Sequence, residues 1–264
     1  MYQDFGLFLV GVWCPASDRG TADVFSPVTE EPLGGVPVAT LSDAEEAIAA
    51  AGRGLAAWST KSGFERADAL HRIADEMARR KDEAARMIST ETGKPMVQSE
   101  REWVLSCDQF RWYAEEARRI YGRIVESRVP GGRFEWLRQP VGITASFTAW
   151  NFPAALVARK AAPALAAGCP IIIRPSSQTP GTAMVMVDCM RAGSLPPGTV
   201  GLLVGPTATT YAPIMASPAV RKVSLTGSTR VGQQMIRDAA DTVKKVSMEL
   251  GGNAPLIVCD DADL

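Results

Sequence analysis

The sequence predicts an α/β fold: a parallel sheet with helices on both faces, preceded by an N-terminal helical and β layer. Three observations carry this. From Val141 onward short apolar runs recur at Val141–Phe147, Ile171–Ile173, Leu202–Val204, Val223–Leu225, Val246–Met248 and Leu256–Val258. Helical stretches of roughly 10 to 20 residues separate them, a spacing that suits parallel strands joined by crossover helices. Ahead of this, the chain from about Ser42 to Tyr121 is dominated by helical patterning.

The elements follow in order. Residues 1–40 are rich in Gly, Pro and β-formers and carry turn signals at Ser26-Pro27 and Gly34-Gly35, which predicts a short antiparallel layer. The run Phe5–Trp13 reads as a first strand. It is too short to span a bilayer and lacks the basic flank and small-residue cleavage site of a signal peptide. Ser42 and Glu45 have capping-box spacing, so a helix is expected to start there, with Ala44, Ile48, Ala51, Leu55 and Trp58 along one stripe. Two further helical stretches centre on Leu70, Ile73 and Met77, and on Val97, Val104 and Ile120. The charges Arg79, Arg80, Lys81, Asp82 and Glu83 read as a solvated face. Pro130-Gly131-Gly132, between two alternating runs of Arg128–Arg138, predicts a hairpin.

Composition excludes several classes. The 264 residues carry 28 Lys+Arg and 29 Asp+Glu, and 46% are hydrophobic. That is not a disordered chain, and it has none of the basic excess expected of a nucleic-acid binder. No apolar run is long enough to cross a membrane. The five cysteines, Cys14, Cys107, Cys169, Cys189 and Cys259, show no metal-ligand spacing, and a reduced, cytoplasmic setting is expected.

Four polar turns fall at the carboxyl ends of the expected parallel strands, where open α/β sheets bind ligands. Gly227-Ser228 opens a helix and suits a phosphate, or is a tight turn with Gly227 at a strained φ and Gly232 serving helix packing. Trp150-Asn151-Phe152-Pro153 offers an amide to an oxyanion, or is an Asn cap with Pro153 in the first turn. Glu249-Leu250-Gly251-Gly252-Asn253 places a carboxylate beside glycines, as a general base needs, or is a surface residue. Arg174-Pro175-Ser176-Ser177-Gln178-Thr179-Pro180 puts a guanidinium where a phosphate could pair with it. Otherwise Arg174 is solvated and Ser177 or Thr179 caps the next helix.

These motifs, WNFPAALVARKAAPALAAGC (150–169), RPSSQTP, SLTGSTRVG (224–232) and KKVSMELGGNAPLIVCDDADL (244–264), resemble the aldehyde dehydrogenase superfamily. GKP at 93–95 and YAEEARRIYG at 113–122 are similar too, and the branch most resembled is that of NAD(P)-dependent succinate-semialdehyde dehydrogenases. The resemblance implies a Rossmann-like cofactor-binding core over 142–264, its N-terminal part over 1–122, and a hairpin oligomerisation arm over 123–141. It implies NAD or NADP as cofactor, a semialdehyde substrate and a homo-oligomer. Trp150 and Asn151 would lie along the nicotinamide, with Asn151 also serving an oxyanion hole. Arg174, Pro175, Ser176 and Ser177 would hold the adenine ribose. Gly227 and Ser228 would meet the pyrophosphate, Glu249 would be the general base, and Leu250 would follow along the cofactor.

Two departures matter. The family usually has Lys where this chain has Arg174, and NAD-preferring members often have Glu where it has Ser177. A carboxylate there would repel a 2′-phosphate by several kcal/mol at about 4 Å, so Arg174 and Ser177 predict that NADP is accepted. Arg159 is the substrate clue, because the resembled branch uses an Arg there for the distal carboxylate of its substrate; otherwise it pairs with a local acid.

The family's nucleophilic cysteine lies beyond the E-L-G-G motif, farther than the fifteen residues that follow Glu249 here. The expectation is therefore a chain without its catalytic domain and thiol, inactive in isolation. Cys169 and Cys259 are expected to be packed in the fold, and His71 to be structural. The alternative function is a non-catalytic NAD(P)-binding fragment, or half of a split enzyme.

Overall fold

The computed structural model describes residues 1–252 and 254–263. Asn253, the last residue of the E-L-G-G-N motif, and Leu264, the end of the expected 142–264 core, lie outside the described residues.

The run Phe5–Trp13 is not one strand. It is a hairpin of β1 (Leu7–Leu9) and β2 (Val12–Cys14). Val10 and Gly11 between them both have positive φ, 51° and 83°, which gives the tight two-residue turn that such hairpins favour. β3 (Thr21–Phe25) and β4 (Pro32–Pro37) form a separate antiparallel pair. The expected N-terminal layer is thus divided, because β1 and β2 join the main sheet instead of lying over it.

α1 spans Leu41–Trp58, and its capping box is Thr40 with Asp43, not Ser42 with Glu45. The Thr40 hydroxyl accepts from the Asp43 N–H at 3.2 Å, and the Asp43 carboxylate accepts from the Thr40 N–H at 2.8 Å. Asp43 wins the role because it also accepts from the Ser17 N–H, which ties the cap to the preceding loop. The buried stripe is Ala44, Ala47, Ala50, Ala51, Gly54 and Trp58, with Ile48 and Leu55 only half-buried.

Three helices follow where two stretches were expected: α2 (Gly63–Arg79), α3 (Lys81–Thr92) and α4 (Met96–Ala117). The break at Arg80 has no Gly or Pro to announce it. Arg80 leaves the expected solvated face and pairs with Asp188 at 2.7 Å and Glu83 at 2.7 Å. β5 (Arg123–Glu126) and β6 (Arg133–Trp136) form the expected hairpin, every strand residue of which is exposed.

The remaining elements alternate: β7 (Ile143–Phe147), α5 (Pro153–Ala166), β8 (Ile171–Arg174), α6 (Pro180–Met190), β9 (Val200–Leu202), α7 (Thr207–Ala216), β10 (Val220–Thr226), α8 (Thr229–Ala240) and β11 (Lys245–Glu249). The main sheet has the order β11-β10-β7-β8-β9-β1-β2. Its β11-to-β9 part is parallel, and β1 and β2 extend it antiparallel. Side chains alternate across the pleat, so β8 sends Ile171 and Ile173 into one core, with α2 to α6, and Ile172 into the other, with α1, α7 and α8.

The run Leu256–Val258 is not a strand. It lies beyond β11 and is exposed, with Leu256 at 88% and Ile257 at 84%, and Cys259 is exposed with it. A strand needs a paired edge and a covered face, and among the described residues this run makes neither contact.

Candidate functional site

The chain order of the strands places the site. It runs from β7 outward through β8 and β9, then returns to place β10 on the other side of β7. The sheet therefore reverses direction between β7 and β10, and the crevice outside their carboxyl ends is where such sheets bind ligands. Residues 148–152 leave β7 on one side of that crevice, and residues 227–228 leave β10 on the other. Asn151 and Ser228 are exposed on these loops.

A cavity of about 990 Å³ extends from the crevice toward β8 and β9, lined by Trp150, Arg174, Ser177 and Gly205 with residues of β3 and β4. Arg174 is the last residue of β8 and is not solvated. One of its NH groups donates to the Gly205 carbonyl at 2.8 Å, while its Nε is buried without a partner. Burial pushes its pKa down. The turn that follows is tied by its own atoms: the Ser176 hydroxyl accepts from the Gln178 N–H, and the Ser176 carbonyl from the Thr179 N–H. Pro175 is buried beneath, and Ser177 projects outward. Neither Ser177 nor Thr179 caps α6 through its side chain.

At α8, Ser228 is the N-cap and its hydroxyl accepts from the Val231 N–H at 3.4 Å. The first N–H groups of the helix have no intrahelical partner, which is the usual provision for an anion. Gly227 does not contribute its own N–H, which donates to the Glu249 carbonyl at 3.0 Å, and it does not use a positive φ. Gly232 lets Leu250 pack closely, since a Cβ there would lie 2.5 Å from Leu250 Cδ2. Asn151 is not the cap of α5. That position is Phe152, without a side-chain bond, so the Asn151 amide is left on the open loop, and Pro153 begins the helix as expected.

A second cavity of about 580 Å³ lies on the sheet face between α5 and the β10–β11 edge. It exists because β10 and β11 alternate: Val223, Leu225 and Met248 face the covered core, while Lys222, Ser224, Thr226, Ser247 and Glu249 face this cavity. Arg159, Lys160 and Leu250 line it as well. Arg159 is exposed, and among the described residues no carboxylate pairs with it. Lys160 donates to the Ser224 hydroxyl at 2.9 Å, and Lys222 to the Ser247 hydroxyl. Burial pushes the Lys160 ammonium down to about 8; Lys222 and Arg159 add to the shift, and Glu249 opposes it.

The structure thus brings Trp150, Arg174 and Ser177 to one cavity and Arg159, Glu249 and Leu250 to another, with Asn151, Gly227 and Ser228 at the crevice. Lys160 and Lys222 were missed by the sequence reading. Lys160 directly follows Arg159, and Lys222, Ser224 and Thr226 alternate with Val223 and Leu225 along β10, which was the available signal.

Among the described residues no group of three or more His, Cys, Asp or Glu could hold a metal, and no helix is long and apolar enough to cross a membrane. Burial raises the Cys107 thiol to about 11 and the Cys189 thiol to about 12. Cys169 is buried, as expected, on the wall of the second cavity. His71 meets Glu115 at 2.9 Å on the helical layer, away from both cavities.

A mostly parallel sheet with its cleft at the strand reversal defines this as a doubly wound α/β protein. Residues 13–264 match the model of the aldehyde dehydrogenase family, and the chain belongs to that family. It is 40% identical over 257 residues to a glutarate-semialdehyde dehydrogenase of Pseudomonas putida, covering 97% of this chain and 54% of the relative. It is also 40% identical over 254 residues to the NADP(+) succinate-semialdehyde dehydrogenase of Escherichia coli K12, covering 96% and 53%. An Escherichia coli NADP-dependent enzyme of known structure superposes with a TM-score of 0.93 at 39% identity, covering 98% of this chain and 54% of that one. A Staphylococcus aureus betaine aldehyde dehydrogenase solved with NAD+ gives a TM-score of 0.93 at 30% identity, covering 98% and 53%. The chain spans about half the length of the relatives it matches.

Proposed function

We propose that this chain is the cofactor-binding half of an NAD(P)-dependent dehydrogenase acting on a carboxylated semialdehyde. The observation that supports it most is Arg174. Its guanidinium is half-buried at the end of β8, beside a cavity of nucleotide size, with one nitrogen orphaned and no carboxylate partner among the described residues. Such a group fits a phosphorylated ribose. Arg174 and Ser177 would hold the 2′-phosphate end, with Pro175 and Ser176 shaping the turn. The free N–H groups after Gly227 and Ser228 would take the pyrophosphate, and Trp150 and Leu250 would flank the nicotinamide. When bound, the nicotinamide supplies a hydride acceptor.

The chain's own residues do the rest. The Asn151 amide donates to the oxygen on which charge develops. Glu249, without an ion-pair partner among the described residues at the end of β11, would take a proton from water. Arg159, with Lys160 and Lys222 behind it, gives the second cavity a positive wall suited to the distal carboxylate of a semialdehyde. We infer that none of the three buried cysteines is the nucleophile. Cys107 and Cys189 are held as thiols by burial, and Cys169 is packed into the cavity wall.

Titration of the chain with NADP and NAD, followed by succinate-semialdehyde turnover in the same samples, tests this. NADP binding without turnover is the expected result, and Ser177→Glu should weaken NADP by about tenfold or more through like-charge repulsion. Binding of neither cofactor by a folded sample overturns the reading. Turnover that survives in wild type and is lost in Cys169→Ser would make that thiol the nucleophile.

A further inference from the structure

The two loops that carry Trp150-Asn151 and Arg174–Thr179 share a peculiarity. Each leads into a helix whose N-terminus has no side-chain cap of its own. α5 has Phe152 at that position. α6 has Thr179, whose hydroxyl is buried and unpartnered. Helix starts buried in this way leave N–H donors that need acceptors. Both sets are met from the helical layer behind the sheet, by two glutamates that are each only 3% exposed.

Glu91, on the last turn of α3, reaches α6. Its Oε1 accepts from the Gly181 N–H at 2.6 Å, and its Oε2 from the Thr182 N–H at 2.9 Å and the Thr182 hydroxyl at 2.7 Å. Tyr2 donates to the same carboxylate at 3.1 Å. Glu102, on α4, reaches α5. Its Oε1 accepts from the Ala154 N–H at 2.9 Å and the Ala155 N–H at 3.2 Å. Its Oε2 pairs with Lys94, whose ammonium sits 3.8 Å from the centre of the Phe152 ring, directly beside Asn151. A carboxylate at a helix start is held by both the N–H donors and the helix dipole. α8, the third helix at the cleft, is capped by its own Ser228 instead.

We infer that Glu91 and Glu102 are positioning residues, two separate clamps that set the conformation of the cleft from behind: Glu91 the loop at the adenosine end, Glu102 the loop at the nicotinamide end. The assignment of the two ends rests on the cofactor reading above. Both act through the loops they hold, Glu91 through Arg174 and Ser177 and Glu102 through Trp150 and Asn151, although Glu91 also reaches the wall of the first cavity. Because they stand on different helices and grip different loops, each governs one half of a dinucleotide.

The experiment compares wild type, Glu91→Gln and Glu102→Gln in two measurements on the 264-residue chain. The first is binding of adenosine 2′,5′-bisphosphate and of nicotinamide mononucleotide, the two halves of NADP. Glu91→Gln is expected to weaken the bisphosphate by about tenfold, as loss of a buried cap would, and to leave the mononucleotide within about twofold. Glu102→Gln is expected to do the reverse. The second is amide hydrogen exchange, which needs no ligand. Glu91→Gln should release the amides of Gly181 and Thr182, and Glu102→Gln those of Ala154 and Ala155. Equal weakening of both probes by each variant, or protection lost evenly across the fold, overturns the clamp. If wild type binds neither probe, the cofactor reading fails, and the exchange pattern alone decides whether the clamps stand.

Discussion

Ile171–Ile173 and Leu256–Val258 are alike as sequence: three apolar, β-prone residues following a turn. The first is a central strand with all three side chains 0–1% exposed, and the second is an exposed stretch with no strand partner among the described residues. The difference lies in what surrounds them. β8 has β7 and β9 to pair with and helices over both faces. Nothing described covers Leu256–Val258. Strand propensity measures fit to a half-buried pleated surface, and where that surface is absent it forms nothing. The same contrast runs through the sheet: the β8 isoleucines are fully buried, while β10 and β11 keep a polar, half-open face on the second cavity.

Mutations can break or sharpen this comparison. The largest effect is expected from Ile172→Ala, which removes a fully buried side chain and should cost about 3 to 4 kcal/mol in urea unfolding. Leu256→Ala, nearly the same deletion, should stay within about 0.5 kcal/mol. Similar losses from both would show that the Leu256 run is covered after all.

Charges should separate in the same way. Lys94→Met leaves Glu102 buried without its cation and should cost about 3 kcal/mol by the same assay. Arg53→Met breaks an exposed pair with Glu46 and should cost nothing measurable. An Arg53 loss as large as that of Lys94 would refute the contrast.

Glu91 sharpens the comparison through pH. Burial raises its carboxyl to about 7 from 4.5, against the pull of Thr182, Gly181 and Tyr2. Between those values the folded chain holds a proton that the unfolded chain has released. The stability contributed by this bound proton is therefore full below about 4.5 and lost as pH rises through about 7, while the hydrogen bonds to the carboxylate remain. Unfolding free energy measured across this window should fall with pH in wild type and flatten in Glu91→Gln. An unchanged slope would assign the effect elsewhere.

Among the packed positions the smallest effect belongs to the half-open edge. Gly232→Ala puts a methyl against Leu250, which borders the second cavity and can rotate, so about 1 kcal/mol is expected in thermal or urea unfolding. A loss as large as that of Ile172→Ala would mean that this edge is packed as tightly as the centre.

Much of this was legible in the residues. The alternation of runs and helices gave the parallel sheet, and the polar turns marked the strand ends where the cavities lie. Pro130-Gly131-Gly132 gave the hairpin. Other features were not legible, for identifiable reasons. Ser42 and Glu45 have the right spacing, but Thr40 and Asp43 have it too, and only the contact with Ser17 distinguishes them. Val10-Gly11 lacks the usual turn composition, so the β1–β2 hairpin looked like one strand. Arg80 looked solvated until Asp188, more than a hundred residues away, was folded against it.

What the sequence determined by itself is local: period, turn chemistry and residue type, all set by neighbours a few positions apart. From these follow the fold class, the family motifs and the strand-end placement of Asn151, Arg174, Ser228 and Glu249. What only the tertiary structure decided depends on groups distant in the chain: which face of β10 stays open to place Lys160 and Lys222 beside Arg159, and which carboxylates seal α5 and α6. A helix start needs an acceptor wherever it lies, and the sequence around it does not say that the acceptor is Glu102, fifty-two positions away, or Glu91, ninety positions away.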